Sequence, residues 1–267
     1  MAFAQIAHIV LHYEFTGDDG DAPPLVFLNS LGTDFRIWRQ VVDSLAGAYP
    51  TLLYDKRGHG LSDDGQPPYA MDEHVDDLAG LLDLIGVDKA VLCGLSVGGL
   101  IAQRFQQRHP DRVLGLILCA TAHRIGTEAG WNERIALVRA EGLAPVADMV
   151  MPLWFTPWFH RDRAAELAGC RNMVSRQSAA GYAGTCAAIR GADYTQAAGR
   201  IAVPTLCIAG DADGSTPPEL VRSMARLIPG ARFEPIRNAA HIMCVEQPEA
   251  VAALVRGFML DLRGAVA

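Results

Sequence analysis

Short, uninterrupted apolar runs recur along the chain. Leu25-Val26-Phe27-Leu28, Thr51-Leu52-Leu53-Tyr54 and Ala90-Val91-Leu92-Cys93 are the first of them. Residues 113–120, 203–209 and 231–236 extend the series. A run with no alternation is the mark of a strand buried on both faces. Residues 6–15 alternate instead and read as an exposed strand, followed by a turn-rich loop over residues 17–24. Between the runs lie helical patterns. Residues 35–45 put Trp38, Val41, Val42 and Leu45 on one stripe, and residues 71–85 do the same with Val75, Leu78, Leu82 and Ile85. Residues 97–108, 219–227 and 246–262 also read as helices, the first of these broken by Pro110-Asp111. Alternating buried strands and helices predict an α/β fold: a mostly parallel sheet with helices on both faces. Reactive groups then gather at the carboxyl ends of the strands.

The rhythm changes between Thr121 and Arg200. No buried-strand run occurs there, and the stretch is helix-prone, with Trp131, Trp154 and Trp158 and breakers at Pro145, Pro152 and Pro157. Strands resume after it. The expected organisation is a core of residues 1–120 and 201–267, with a helical cap of residues 121–200 inserted between core strands.

Composition narrows the function. The chain has 267 residues, 50% hydrophobic and 20% charged, ordinary for a soluble globular protein. A formal charge of −7 gives no general support for nucleic-acid binding, and an anionic substrate must meet a local cation. Cys93, Cys119, Cys170, Cys186, Cys207 and Cys244 form no C-x-x-C pair and read as free thiols in a reducing compartment, so a cytoplasmic location is expected. No signal peptide and no membrane span is expected from the hydropathy pattern. A homo-oligomer stays open.

The run ending at Cys93 leads into Gly94-Leu95-Ser96-Val97-Gly98, the G-x-S-x-G pattern of a nucleophile elbow. A serine on a sharp strand-to-helix turn has its hydroxyl thrust clear of the backbone, and the positions two before and two after must be nearly free of side chain. Serine needs a base, and the base an orienting acid. Of eight histidines, His8 and His12 read as surface or edge residues, His74 and His109 as solvated helix positions, and His59 as a turn residue bonding local backbone. His123 and His160 fall in the insertion, within reach of a substrate. His241 follows the last strand, and it is the base expected from the order serine, acid, histidine. The acid comes from Gly210-Asp211-Ala212-Asp213-Gly214, with Asp213 favoured over Asp211 because it sits further out in the turn. Either could instead be an Asx-turn residue. Backbone N–H groups of Val97 and Leu31 are the expected oxyanion donors. With no H-E-x-x-H and no phosphate-loop motif, neither metal nor cofactor is expected.

These motifs resemble the α/β-hydrolase superfamily across nearly the whole chain. Asn29-Ser30-Leu31-Gly32-Thr33-Asp34, Tyr54-Asp55-Lys56-Arg57-Gly58-His59-Gly60, Trp154-Phe155-Thr156-Pro157 and Gly181-Tyr182-x-x-x-Cys186-Ala187-Ala188-Ile189-Arg190 resemble, more narrowly, the 3-oxoadipate enol-lactonases. Leu153 and Lys56 depart from that pattern, which has a charged residue and a threonine there. The resemblance implies a small anionic lactone as substrate. Among the arginines of the insertion, Arg134 is the expected carboxylate clamp over Arg139, Arg176 and Arg190, and Trp154 the expected apolar wall. A carboxylesterase on the same fold, and a silent relative that binds a ligand, are the alternatives.

Overall fold

The computed structural model describes residues 2–17 and 22–266. Its strands are β1 (Ala2–Ile6), β2 (Ile9–Thr16), β3 (Leu25–Leu28), β4 (Thr51–Tyr54), β5 (Ala90–Leu95), β6 (Val113–Cys119), β7 (Thr205–Gly210) and β8 (Arg232–Ile236). The helices that intervene between strands up to β6 are α1 (Arg39–Leu45), α2 (Met71–Leu84) and α3 (Val97–Arg108). Six more separate β6 from β7: α4 (Glu128–Glu141), α5 (Ala144–Trp154), α6 (Pro157–Asp162), α7 (Ala164–Ser175), α8 (Ala179–Arg190) and α9 (Thr195–Ala198). The chain continues through α10 (Pro218–Leu227), between β7 and β8, to α11 (Met243–Glu246) and α12 (Pro248–Val266).

The eight strands form one sheet in the order β1-β2-β4-β3-β5-β6-β7-β8. From β4 to β8 every neighbouring pair is parallel, and β2 alone runs against the rest. β3, β4, β5 and β7 are buried at every position, as their unbroken apolar runs require. The edge strand β8 is mostly exposed and carries Pro235, which an edge tolerates because no ladder needs its missing N–H. No helix among the described residues is long and apolar enough to cross a membrane.

Four expectations change. The single exposed strand over residues 6–15 is two strands, paired antiparallel and turned at Ala7, whose φ is 51°. β2 is not exposed, because β4 covers its far edge and Ile9 and Leu11 point into the core. The helix over residues 35–45 begins as a 3₁₀ turn, Phe35–Trp38, capped by Asp34, before α1. Pro145 and Pro157 start helices rather than break them, since the first helical N–H has no partner to lose; Pro152 lies inside α5. Residues 18–21 of the expected loop lie outside the described residues.

Candidate active site

β5 ends at Leu95, α3 begins at Val97, and Ser96 makes the turn alone with φ 57° and ψ −117°. That backbone is costly for a residue with a side chain, and it is held here from several sides. Ser96 N donates to Cys119 O at 3.0 Å, and Ser96 O accepts from Thr121 Oγ1 at 2.7 Å. The flanking glycines are obligatory. A Cβ on Gly94 would lie 2.3 Å from Gly98 O, and one on Gly98 would lie 2.2 Å from Leu28 O.

His241 sits after β8, buried, with Nδ1 2.9 Å from Asp213 Oδ2 and 3.1 Å from Oδ1. Asp213 accepts from Ser215 N at 2.7 Å, Thr216 N at 2.9 Å and Thr216 Oγ1 at 2.7 Å. Burial pushes this carboxyl up, but His241 and the Thr216 donors outweigh it and hold it below its ordinary value. Asp213 is therefore both an Asx-type turn residue and the partner of His241. Asp211 is exposed and accepts only a long bond, 3.4 Å, from Ala239 N. The other histidines lie elsewhere. His12 is not a surface residue: it is buried between Phe3 and Phe35, with Nδ1 2.7 Å from Asp55 Oδ2. His74 is not solvated either. It continues the Met71, Val75, Leu78 stripe of α2 into the core, and burial holds its pKa well below 6.5. His109 is half-buried beside Phe105 rather than solvated.

Val97 is the first residue of α3, so the helix ladder gives its N–H no acceptor. Leu31 lies in the loop after β3. Thr33 N donates to Ser30 O at 3.3 Å, Gly32 N donates to His59 Nε2 at 3.0 Å, and His59 Nδ1 is 3.2 Å from Arg57 O. His59 thus bonds local backbone as expected, and it also holds the Leu31 loop from the turn after the neighbouring strand β4. Burial and the neighbouring Lys56 drive its pKa well below 6.5, which fits a neutral ring accepting from Gly32.

The inserted helices reach this site through Trp154. Its indole lies 6.2 Å from the His241 ring, 30° off parallel. The surrounding backbone is stitched to the loops that carry Asp213 and His241: Gly214 N donates to Leu153 O at 3.4 Å, Ile242 N to Trp154 O at 3.2 Å. Buried Glu246 completes the seam, accepting from Thr156 N at 2.9 Å and Ala240 N at 2.7 Å. Arg134, half-buried on α4, donates to Tyr182 Oη at 3.1 Å and contacts Met149 Sδ at 3.3 Å, both neutral groups. Tyr182 is buried, and its ring lies 3.0 Å from where a Gly32 Cβ would stand. Arg134 is thereby joined to the Leu31 loop through one side chain. The other arginines face away. Arg139 and Arg190 line a groove of about 510 Å³ with Pro67 and Pro68, and Arg176 lines a cleft of about 930 Å³ with Phe35 and Arg36. Ser96, His241 and Trp154 line neither of these.

Thr216, Glu246 and His59 support the loops that carry Asp213, His241 and Leu31, a role the sequence alone leaves unassigned. Glu246 had a signal, a carboxyl residue in the buried first turn after His241, but its partners are 90 and 6 residues away.

A serine elbow and a paired histidine and aspartate, at the carboxyl ends of a parallel sheet, define an α/β-hydrolase. The chain matches the α/β-hydrolase fold family over residues 23–248 and belongs to it. It is 36% identical over 251 residues to 3-oxoadipate enol-lactonase 2 of Acinetobacter baylyi, covering 94% of this chain and 93% of that protein. The crystal structure of the enol-lactonase from Burkholderia xenovorans LB400 matches with a TM-score of 0.93 and 37% identity, covering 97% of this chain and 100% of that one. A malate-bound esterase from Thermogutta terrifontis matches with a TM-score of 0.90 and 30% identity, over 95% and 94%. The resemblance read from the motifs holds.

Proposed function

We propose that the protein is a serine hydrolase that opens the ring of 3-oxoadipate enol-lactone to give 3-oxoadipate, a step of the protocatechuate branch of aromatic degradation. In this reading Ser96 is the nucleophile, His241 the base and Asp213 the acid that holds its tautomer. Residues 121–200 form a cap over the site. His241 takes the Ser96 proton as Oγ attacks the lactone carbonyl. The N–H groups of Val97 and Leu31 receive the oxyanion. Collapse breaks the ring C–O bond, and the enol oxygen leaves with the proton from His241. An enol is a better leaving group than an alkoxide, and it remains tethered until it tautomerises to the ketone. Water, activated by His241, then attacks the acyl-enzyme and frees the acid and Ser96.

The observation that carries the substrate class is Arg134. It is a half-buried cation whose polar partners are neutral, so its charge is free for an anion. Burial pushes the Tyr182 hydroxyl pKa far up, so this group stays protonated. Its oxygen accepts from Arg134 and its hydrogen is free to donate to the same carboxylate. Trp154 would wall the ring. The likeness to an esterase favours a second reading, a small-ester hydrolase. One assay separates them: ultraviolet loss of the enol-lactone against a panel of neutral esters and lactones. The first reading expects the anionic lactone to lead in kcat/KM by about 10–100-fold, the worth of a charge-assisted clamp. A neutral ester in first place overturns it. In either case Ser96→Ala should abolish turnover.

A further inference from the structure

Lys56 is one of the largest fully buried side chains of the protein. It leaves the end of β4 and runs under the loop that follows β3. Nζ donates to Ser30 O at 2.6 Å and lies 3.4 Å from Asn29 O. Ser30 O also accepts from Thr33 Oγ1 at 3.0 Å and Thr33 N at 3.3 Å. The Ser30 carbonyl and the Leu31 N–H belong to the same peptide unit. That unit is planar and trans, so the two groups point in opposite directions. Whatever holds Ser30 O also aims the Leu31 N–H. A positive charge at the carbonyl end polarises the peptide and makes its N–H a stronger donor, as in any chain of hydrogen bonds.

We propose that Lys56 is a positioning residue for catalysis: its ammonium fixes and polarises the Ser30–Leu31 peptide so that the Leu31 N–H is presented to the oxyanion. This rests on the reading of Leu31 as an oxyanion donor. It adds a pH dependence that the serine, histidine and aspartate do not supply.

The groups that face Lys56 set the direction. Asp55, its chain neighbour, and Asp34, from the loop after β3, favour the charged form. His59 from the following turn and His74 from α2 are held neutral by burial. Arg57 is neutralised by Asp77 and Glu73. Burial is the largest influence and brings Lys56 down to about 7. The ammonium form prevails below that value and the amine above it. An amine still donates, but a charge-assisted bond is roughly twice as strong as a neutral one. Oxyanion stabilisation therefore weakens as pH rises through neutrality, adding an alkaline decline to kcat/KM.

The test uses the full-length protein, 4-nitrophenyl acetate as a neutral probe, and the variants Lys56→Met and Lys56→Gln. Loss of an interaction made only in the transition state lowers kcat and kcat/KM together. The expected fall is about 10–100-fold in Lys56→Met, with KM within about twofold of wild type, since a full oxyanion donor is worth about 100–1,000-fold. Lys56→Gln keeps a neutral donor and should fall between. Both variants should lose the alkaline decline. A folded Lys56→Met with wild-type kcat, or with the decline intact, overturns the proposal. Where Lys56→Met shows no cooperative thermal transition, Lys56→Gln decides: retention of the decline overturns the proposal, as does its absence from wild type. Ser96→Ala separates the two levels. Activity in Ser96→Ala sinks the serine-hydrolase reading itself, whereas an inactive Ser96→Ala beside an unaffected Lys56 variant sinks only the role of Lys56.

Discussion

Asp213 Oδ2 lies 2.9 Å from His241 Nδ1, and Thr216 Oγ1 reaches both, at 2.7 Å and 3.3 Å. The carboxylate is fixed before the imidazole meets it, by two backbone N–H groups and one hydroxyl. Its charge is thereby held against His241 Nδ1.

Asp213→Asn should keep the fold and lower kcat by about 1,000–10,000-fold, the range for a triad acid replaced by its amide. Asp211→Asn, at an exposed position with one long bond, should change kcat by less than about threefold. Steady-state hydrolysis by the two variants is the measurement. The reverse order would make Asp211 the acid.

Arg134→Ala should raise KM for the enol-lactone by about 10–100-fold, as expected for one charge-assisted hydrogen bond. KM for a neutral aryl ester should move by less than about threefold. Equal effects on the two substrates would remove Arg134 as the carboxylate clamp.

Glu246 ties the Trp154–Thr156 segment to the His241 loop from a fully buried position. Glu246→Ala strands the Thr156 and Ala240 N–H groups away from water. Each unsatisfied donor costs about 1–3 kcal/mol, so a total loss of about 2–6 kcal/mol is expected in urea unfolding. Wild-type stability in this variant would show that the seam does not bear on the fold.

His74 predicts acid lability with a definite sign. Burial holds its folded-state pKa well below 6.5, and the unfolded chain takes up the proton first. Stability is therefore complete above about pH 6.5 and falls as pH drops below it, by about 1.4 kcal/mol per unit for each such histidine. His74→Leu should shrink the wild-type difference in unfolding free energy between pH 7 and pH 5 by about 2 kcal/mol. An unchanged difference would mean that His74 becomes charged without unfolding.

The strands, the elbow and the position of His241 were legible because each is written locally. An unbroken apolar run announces a strand buried on both faces, and two glycines around Ser96 follow from a turn too tight for a Cβ. His74 was legible too, since it continues the stripe of Met71, Val75 and Leu78, but a polar residue on an apolar stripe was read by its chemistry rather than its position. His12 offered less, because its burial depends on Asp55 and two aromatic rings brought from other parts of the chain.

The amino-acid sequence by itself determined the α/β class, the order of the elements and which serine is presented for attack. Tertiary structure alone decided which aspartate faces His241, which of four arginines is joined to the Leu31 loop, and what lies beneath that loop. Periodicity and turn chemistry act within a few residues and can be read along the chain. The pairing of Asp213 with His241, the contact of Arg134 with Tyr182 and the bond from Lys56 to Ser30 each span 26 to 48 residues. Such contacts exist only once the sheet has placed its strand ends side by side.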